Sequence, residues 1–170
     1  MPKLDIYPEN ETTQADQNII LEREFGGFDK LHFVMPIMQV AFSSHYGESW
    51  NEHQCQSMLS LPGTQLLIAS YANQPCGFAI TRAVAGEEEL LMIAVDPQYQ
   101  NKGIGLLILK QLITDAVKTG TDAIFLEVRS NNPAQSLYQK LGFEQIGLRP
   151  AYYTGKNKEK FDAITYKISL

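Results

Sequence analysis

An α/β domain, with a mixed sheet flanked by helices, is what the hydrophobic pattern of this sequence encodes. Three apolar runs separated by short turns occupy residues 65–95, which suggests an antiparallel meander. Two helical patterns then alternate with a strand over 103–141, and the chain closes on a clean period-two stretch, Phe161–Leu170. A chain of 170 residues suits one domain with a proper core, and its 44% hydrophobic and 19% charged content is ordinary for a globular protein.

In chain order, residues 1–17 are polar and carry Pro2 and Pro8, and read as a flexible leader ahead of a single domain over 18–170. Asn18–Glu24 reads as the first strand, closed by Gly26-Gly27. Val34, Ile37, Met38, Ala41 and Phe42 recur at helical spacing and place a helix over Leu31–Phe42. A shorter helix is expected over Trp50–Leu59, stopped by Pro62-Gly63. Gln65–Tyr71, ending in the turn 72–75, Gly77–Ala83 and Glu89–Val95 are the three strands of the meander. Gly103–Thr119 is a strong amphipathic helix with the stripe Ile104, Leu107, Ile108, Leu112 and Ala116, and Gly120 stops it. Ala123–Val128 is the next strand, and Asn132-Pro133 opens a helix that shares Ala134, Leu137, Tyr138 and Leu141 on one face. Two final strands complete the order β-α-α-β-β-β-α-β-α-β-β.

Composition excludes several classes. A net charge of −5 and a pI near 5.2 argue against a nucleic-acid surface. Cys55 and Cys76 form no disulfide framework, and no Cys/His spacing suggests a metal, so each reads as a small buried hydrophobe. His32, His45 and His53 lack spaced partners. The first residues show no secretory core, and no apolar run approaches the roughly 20 residues of a membrane span, so a soluble cytoplasmic protein is expected.

The segment from Asp96 to Gly105 lies between an apolar strand and an apolar helix. Helix starts present unpaired N–H groups and a positive dipole end, and Gly103 and Gly105 allow an anion close to the backbone, with Lys102 adding charge. A dinucleotide fingerprint requires a third glycine where Ile108 stands, and no Gly-x-x-x-x-Gly-Lys-Ser/Thr occurs. A bare Gly-x-Gly is also compatible with a tight turn that binds nothing.

Leu91–Leu106 (LMIAVDPQYQNKGIGL), Leu126-Glu127-Val128-Arg129 and Asn131–Phe143 (NNPAQSLYQKLGF) resemble the GNAT family of N-acetyltransferases, most of all its RimI-like ribosomal-protein alanine acetyltransferase branch. The resemblance covers roughly residues 65–153 and includes the acetyl-CoA motif Gln/Arg-x-x-Gly-x-Gly/Ala as Gln100, Gly103 and Gly105. It implies a GNAT-like central mixed, mostly antiparallel sheet with helices on both faces, and acetyl-CoA as acyl donor, without a metal. It further implies that Ile93, Ala94 and Val95 pair with the pantetheine arm. Backbone amides of Gln100, Asn101, Lys102, Gly103, Ile104, Gly105 and Leu106 would take the pyrophosphate. Asn131 matches an asparagine that contacts the cofactor arm, with Ala134 and Tyr138 completing the cofactor set. Leu106 departs from the Arg, Ser or Thr of many members, at a contact made mainly by backbone. The stretch Glu127–Asn131 is one residue shorter than in many RimI-like sequences.

Acetyl transfer needs a neutral amine and a proton for the departing thiolate; an α-amine, with a pKa of about 7.7–8.0 against about 10.4 for lysine, needs less help. A backbone N–H of the cofactor strand is a candidate donor to the thioester oxygen. The resemblance makes Tyr138 the candidate acid, although its spacing with Ala134 and Leu141 equally suits a core anchor. Glu127, inside an apolar strand, matches the base of the RimI-like branch; a salt bridge to Arg82 or Arg129 would also explain it. Glu89 matches the catalytic glutamate of the histone-acetylating branch, but a solvated Glu87-Glu88-Glu89 turn is the plainer reading. Gly147–Tyr153 resembles, through Arg149, Tyr152 and Tyr153, the Arg-x-x-Tyr-Tyr element of the same branch, whose aromatics lie beside the acceptor's first residues, and Ser49-Trp50-Asn51 resembles the start of its second helix; the tyrosines equally suit packing at a strand end. The loop Lys156–Lys160 reads as a solvated hairpin tip. A protein or peptide N-terminus is therefore the expected acceptor. A polyamine, amino acid or antibiotic amine, or a non-catalytic acyl-CoA sensor, is the alternative. No nucleic-acid or membrane partner is expected, and the chain would be a monomer or homodimer.

Overall fold

The three apolar runs over 64–95 fold as an antiparallel meander, and the remaining strands extend both of its edges. The computed structural model describes residues 18–42, 49–155 and 157–170; the expected leader 1–17, His45 and Lys156 of the expected hairpin tip lie outside them. The strands are β1 Ile19–Phe25, β2 Thr64–Tyr71, β3 Gln74–Val84, β4 Glu87–Val95, β5 Ala123–Arg129, β6 Glu144–Thr154 and β7 Lys160–Ser169. The helices are α1 Leu31–Ala41, α2 Glu52–Leu59, α3 Ile104–Thr119 and α4 Gln135–Lys140. The order of elements matches the expectation throughout.

Seven strands form one sheet in the order β1-β2-β3-β4-β5-β7-β6. Every neighbouring pair is antiparallel except β4 and β5. Parallel pairing requires a crossover, and α3 supplies it. Alternation along β2 divides the core in two. Leu67 and Ala69 belong to the cluster built with α3, α4 and β7, whereas Leu66 and Ile68 join α1 and α2 on the other face.

Several boundaries move for local reasons. The turn before β3 is only Ala72-Asn73, both at positive φ, so Gln74 already pairs with Tyr71. Asn51 is the N-cap of α2 rather than part of it: its side chain accepts from the Gln54 N–H at 2.9 Å, and Gln54 returns the bond at 2.8 Å. The acidic stretch Glu87-Glu88-Glu89 is strand, not turn; the turn is Ala85-Gly86, and Glu88 is 3% exposed. Against the same end of β3, Gly63 is obligatory: its φ is +81°, and a Cβ would lie 2.1 Å from the Ala83 carbonyl oxygen.

One irregularity shapes the functional end of the sheet. Ile80 pairs with Met92 but Thr81 pairs with Leu90, which leaves Leu91 as an extra residue on β4. Such a bulge bends its strand. Parallel pairing of β4 with β5 stops at Leu90↔Leu126, level with this bulge, and beyond it the two strands separate.

Candidate active site

The loop leaving β4 is shaped by its backbone. Asp96 anchors it, donating its N–H to the Cys76 carbonyl at 2.8 Å and accepting from the Gln98 N–H at 2.9 Å. One 3-10 turn, Pro97–Tyr99, follows, and Gln100 reaches back to donate to the Val95 carbonyl at 3.1 Å. Asn101 and Gly103 then adopt left-handed φ values of +60° and +80° and aim the chain into α3. No side chain caps this helix start, so the N–H groups of Ile104, Gly105 and Leu106 have no intrahelical partner. A Cβ added at Gly103 would meet nothing within 4 Å, so the approach to those amides is open. This arrangement fits a phosphate group. Lys102 lies over two rings, with Nζ 5.1 Å from the Tyr99 centroid and 5.4 Å from Tyr71.

The separation of β4 from β5 opens a cleft of about 980 Å³ that crosses the sheet. Leu126 and Val128 line it and belong to the α3 side, as does Tyr138 of α4. Glu127, by strand alternation, faces the other side, where Trp50 and Tyr153 complete the lining. Between them runs the edge of β4 from Met92 to Val95, paired with β3 but not with β5.

Tyr138 is both the anchor and the candidate acid that its sequence context allowed. It is 5% exposed, and its ring packs against Phe143 and Tyr166 at 6.0 and 6.3 Å between centroids. Tyr166 holds α4 in place by donating to Gln135 Oε1 at 3.1 Å and accepting from Gln139 Nε2 at 3.2 Å. The Tyr138 hydroxyl has no hydrogen-bond partner among the described residues and lies at the cleft. Burial pushes its pKa up to about 12, so it keeps its proton across the neutral range.

Glu127 is paired, but not with Arg82 or Arg129. Arg149 Nη2 of β6 donates to its Oε2, and the Tyr153 hydroxyl donates to its Oε1 at 3.1 Å. Arg82 instead donates to the Pro62 carbonyl, and Arg129 lies 3.9 Å from the Phe161 ring centroid. Burial and then the Glu127 charge push the Tyr153 hydroxyl up to about 12. Arg149 itself is 3.9 Å from the Tyr152 ring centroid and is held more firmly protonated by the Glu127 hydrogen bond. Sequence reasoning placed Arg149 in the Arg-x-x-Tyr-Tyr element but missed its pairing with Glu127, 22 positions away, because nothing periodic links the two.

The other candidates divide. Ile93 lines the cleft, and the strand carrying Ala94 and Val95 continues its wall. Glu89 is exposed, pairs with Phe125 and lines a different pocket with Arg82 and Phe125. Asn131 is exposed, and its neighbour Asn132 lines the cleft, its side chain accepting from the Ala134 N–H at 2.9 Å. Tyr152 is 54% exposed and is not part of the cleft wall, whereas Tyr153 is. Cys55 and Cys76 are buried, and burial raises both thiols, so neither is a nucleophile.

A strand-loop-helix turn with open backbone amides beside a cleft between splayed parallel strands is a specific combination. The sequence profile described as the acetyltransferase (GNAT) family matches residues 31–143, which is most of the chain. The chain belongs to that family. Its curated relatives include the ribosomal protein bS18-alanine N-acetyltransferases of Haemophilus influenzae, 43% identical over 81 residues, and of Escherichia coli, 46% identical over 77. These alignments cover 48% and 45% of this chain, and the chain spans about half the length of those relatives, 56% and 52%. The fold likeness extends further. The crystal structure of the Escherichia coli ribosomal-protein-S18-alanine N-acetyltransferase superposes with a TM-score of 0.79 at 30% identity, covering 88% of this chain and 94% of that one. As in other GNAT proteins, acetyl-CoA is the expected donor. Among the described residues, no three His, Cys, Asp or Glu converge to hold a metal, and no helix is long and apolar enough to cross a membrane.

Proposed function

We propose that this chain is an acetyl-CoA-dependent N-acetyltransferase whose acceptor is the α-amine of a protein or peptide N-terminus. The observation that carries the reading is the cleft through the sheet. It places a carboxylate, Glu127, on one face and the unpartnered Tyr138 hydroxyl on the other. The amides of Ile104, Gly105 and Leu106 would hold the pyrophosphate, and the open edge of β4 from Ile93 to Val95 would hold the pantetheine arm. Asn132 supports that arm from the α4 side more readily than the exposed Asn131. Coenzyme A supplies the acetyl group as an activated thioester. Glu127 accepts the proton that the amine must lose, directly or through water, and Tyr138 presents its hydroxyl proton on the side of the leaving sulfur. A backbone N–H on the unpaired edge of β4 is oriented to donate to developing negative charge.

The named activity of the relatives, alanine N-acetylation of a ribosomal protein, favours a peptide acceptor over a small amine. The aromatic wall of Trp50 and Tyr153 beside Glu127 suits an extended chain entering by its N-terminus. Thiol release from acetyl-CoA, measured with peptides bearing free N-termini, polyamines and aminoglycosides, tests this. Turnover is expected with alanine-initiated peptides. Turnover confined to small amines would overturn the acceptor, and tight acetyl-CoA binding with no turnover on any acceptor would make the chain a sensor.

A further inference from the structure

We infer that Arg149 is a positioning residue: resting on the Tyr152 ring, it clamps the Glu127 carboxylate from β6 so that its free lone pairs face the cleft. This rests on the functional reading above and adds a task for a residue outside the cleft wall.

The clamp is built by the register of β6 up to Arg149 and a local distortion just after it. Register between β6 and β7 breaks between Arg149 and Tyr153, and Ala151 within the break has a φ of +54°. Its N–H is taken by Asp162 Oδ1 of β7 at 2.8 Å, which stabilises the irregular turn. Asp162 is tied in turn to the end of β5, donating its N–H to Ser130 Oγ at 3.2 Å and accepting the Ser130 N–H at 2.9 Å. Arg149 is still in register, opposite Ala163, and the bulge after it brings Tyr152 and Tyr153 back beside it. Arg149 then meets Glu127 Oε2, and Tyr153 meets Oε1.

A carboxylate has about four acceptor positions, so two donors fix its plane and leave positions for an incoming amine or water. Glutamate otherwise samples many rotamers, and misplacement of a proton acceptor by about 1 Å can cost on the order of a hundredfold in rate. The energetic worth of an exposed ion pair is small, and the Arg149 side chain is 52% exposed. Geometry is therefore what the pair contributes, not stability. It also gives Tyr152 a task without substrate contact: its ring carries the guanidinium.

The test is a cycle of R149M, E127Q and the double variant, with R149K as the conservative control. R149M should lower kcat by on the order of tenfold or more with the KM for acetyl-CoA unchanged, and R149K should restore part of it. In the E127Q background R149M should have no further effect, because the residue it positions is gone. Equal losses from R149M in both backgrounds, or an unchanged kcat in R149M, would overturn the clamp. The carboxyl carbon resonance of Glu127 gives a readout without turnover, and it should move in R149M. A wild-type protein inactive on every acceptor would defeat the functional reading; the resonance would then decide the clamp alone, for it if shifted and against it if unmoved.

Discussion

Replacing Tyr138 by phenylalanine removes one oxygen and nothing else, and the structure separates its two consequences. The ring packs in the core against Phe143 and Tyr166, and phenylalanine keeps that packing. The hydroxyl has no partner among the described residues, so folding loses no hydrogen bond. The hydroxyl opens onto the cleft without a protein partner, so the variant should be as stable as the parent or slightly more so. A positioned general acid contributes about 10²- to 10⁴-fold, or roughly 2.7–5.4 kcal/mol of barrier at about 1.36 kcal/mol per decade. The two effects therefore have opposite signs. Because burial holds the hydroxyl up to about 12, it stays protonated below about pH 10. The rate should then fall by a constant factor across pH 6–9, with the profile keeping its shape. Thiol release at saturating acetyl-CoA gives kcat, and thermal unfolding by circular dichroism gives stability. An undiminished kcat with a lowered Tm would refute the argument and leave Tyr138 a core residue only. Loss of an alkaline limb in the variant would also refute it, since that limb would then belong to Tyr138.

The remaining expectations are compact. Glu127→Gln should lower the rate and move its optimum to higher pH, because solution must then supply the neutral amine of pKa about 7.7–8.0; the same behaviour in Glu89→Gln instead would show that the base was misassigned. Gly63→Ala forces a side chain at φ +81° and against the Ala83 oxygen, at a cost on the order of 3 kcal/mol. At roughly 2–4 °C per kcal/mol, its Tm should drop by about 6–12 °C, and a drop under about 2 °C would mean the turn yields freely. Gly103→Ala meets open space, so only its φ of +80° is strained; about 1–2 kcal/mol of stability should go, with a fall in acetyl-CoA affinity measurable by calorimetry. Unchanged affinity would remove Gly103 from the phosphate cradle.

How much of this was legible beforehand depends on the reach of each interaction. Ile104, Ile108, Leu112 and Ala116 announce α3 because an amphipathic helix carries its period in neighbouring residues. The turn at Gly103 and the start of α3 are equally local, and so the phosphate cradle was readable, as was the strand that leads into it. The acidic run Glu87–Glu89 misled because solubility of the side chains says nothing about the backbone ladder, which the partners Val84–Arg82 and Ala123–Phe125 provide. Asn131 and Asn132 are adjacent and chemically identical, and only the turn after β5 decides which one meets the cleft.

Element order, the two faces of the sheet and the glycine turn into α3 proposed to hold the pyrophosphate were thus written in the sequence, since each follows from periodicity or from glycine at a helix start. Tertiary structure alone decided the cleft and the state of its carboxylate. The cleft exists because the extra residue Leu91 bends β4 where pairing with β5 ends. Glu127 meets Arg149 because β7 holds β5 and β6 in register, with Glu127 opposite Thr165 and Arg149 opposite Ala163, although the two lie 22 positions apart. Both are register events between strands, and no pattern within a single strand records its register against another.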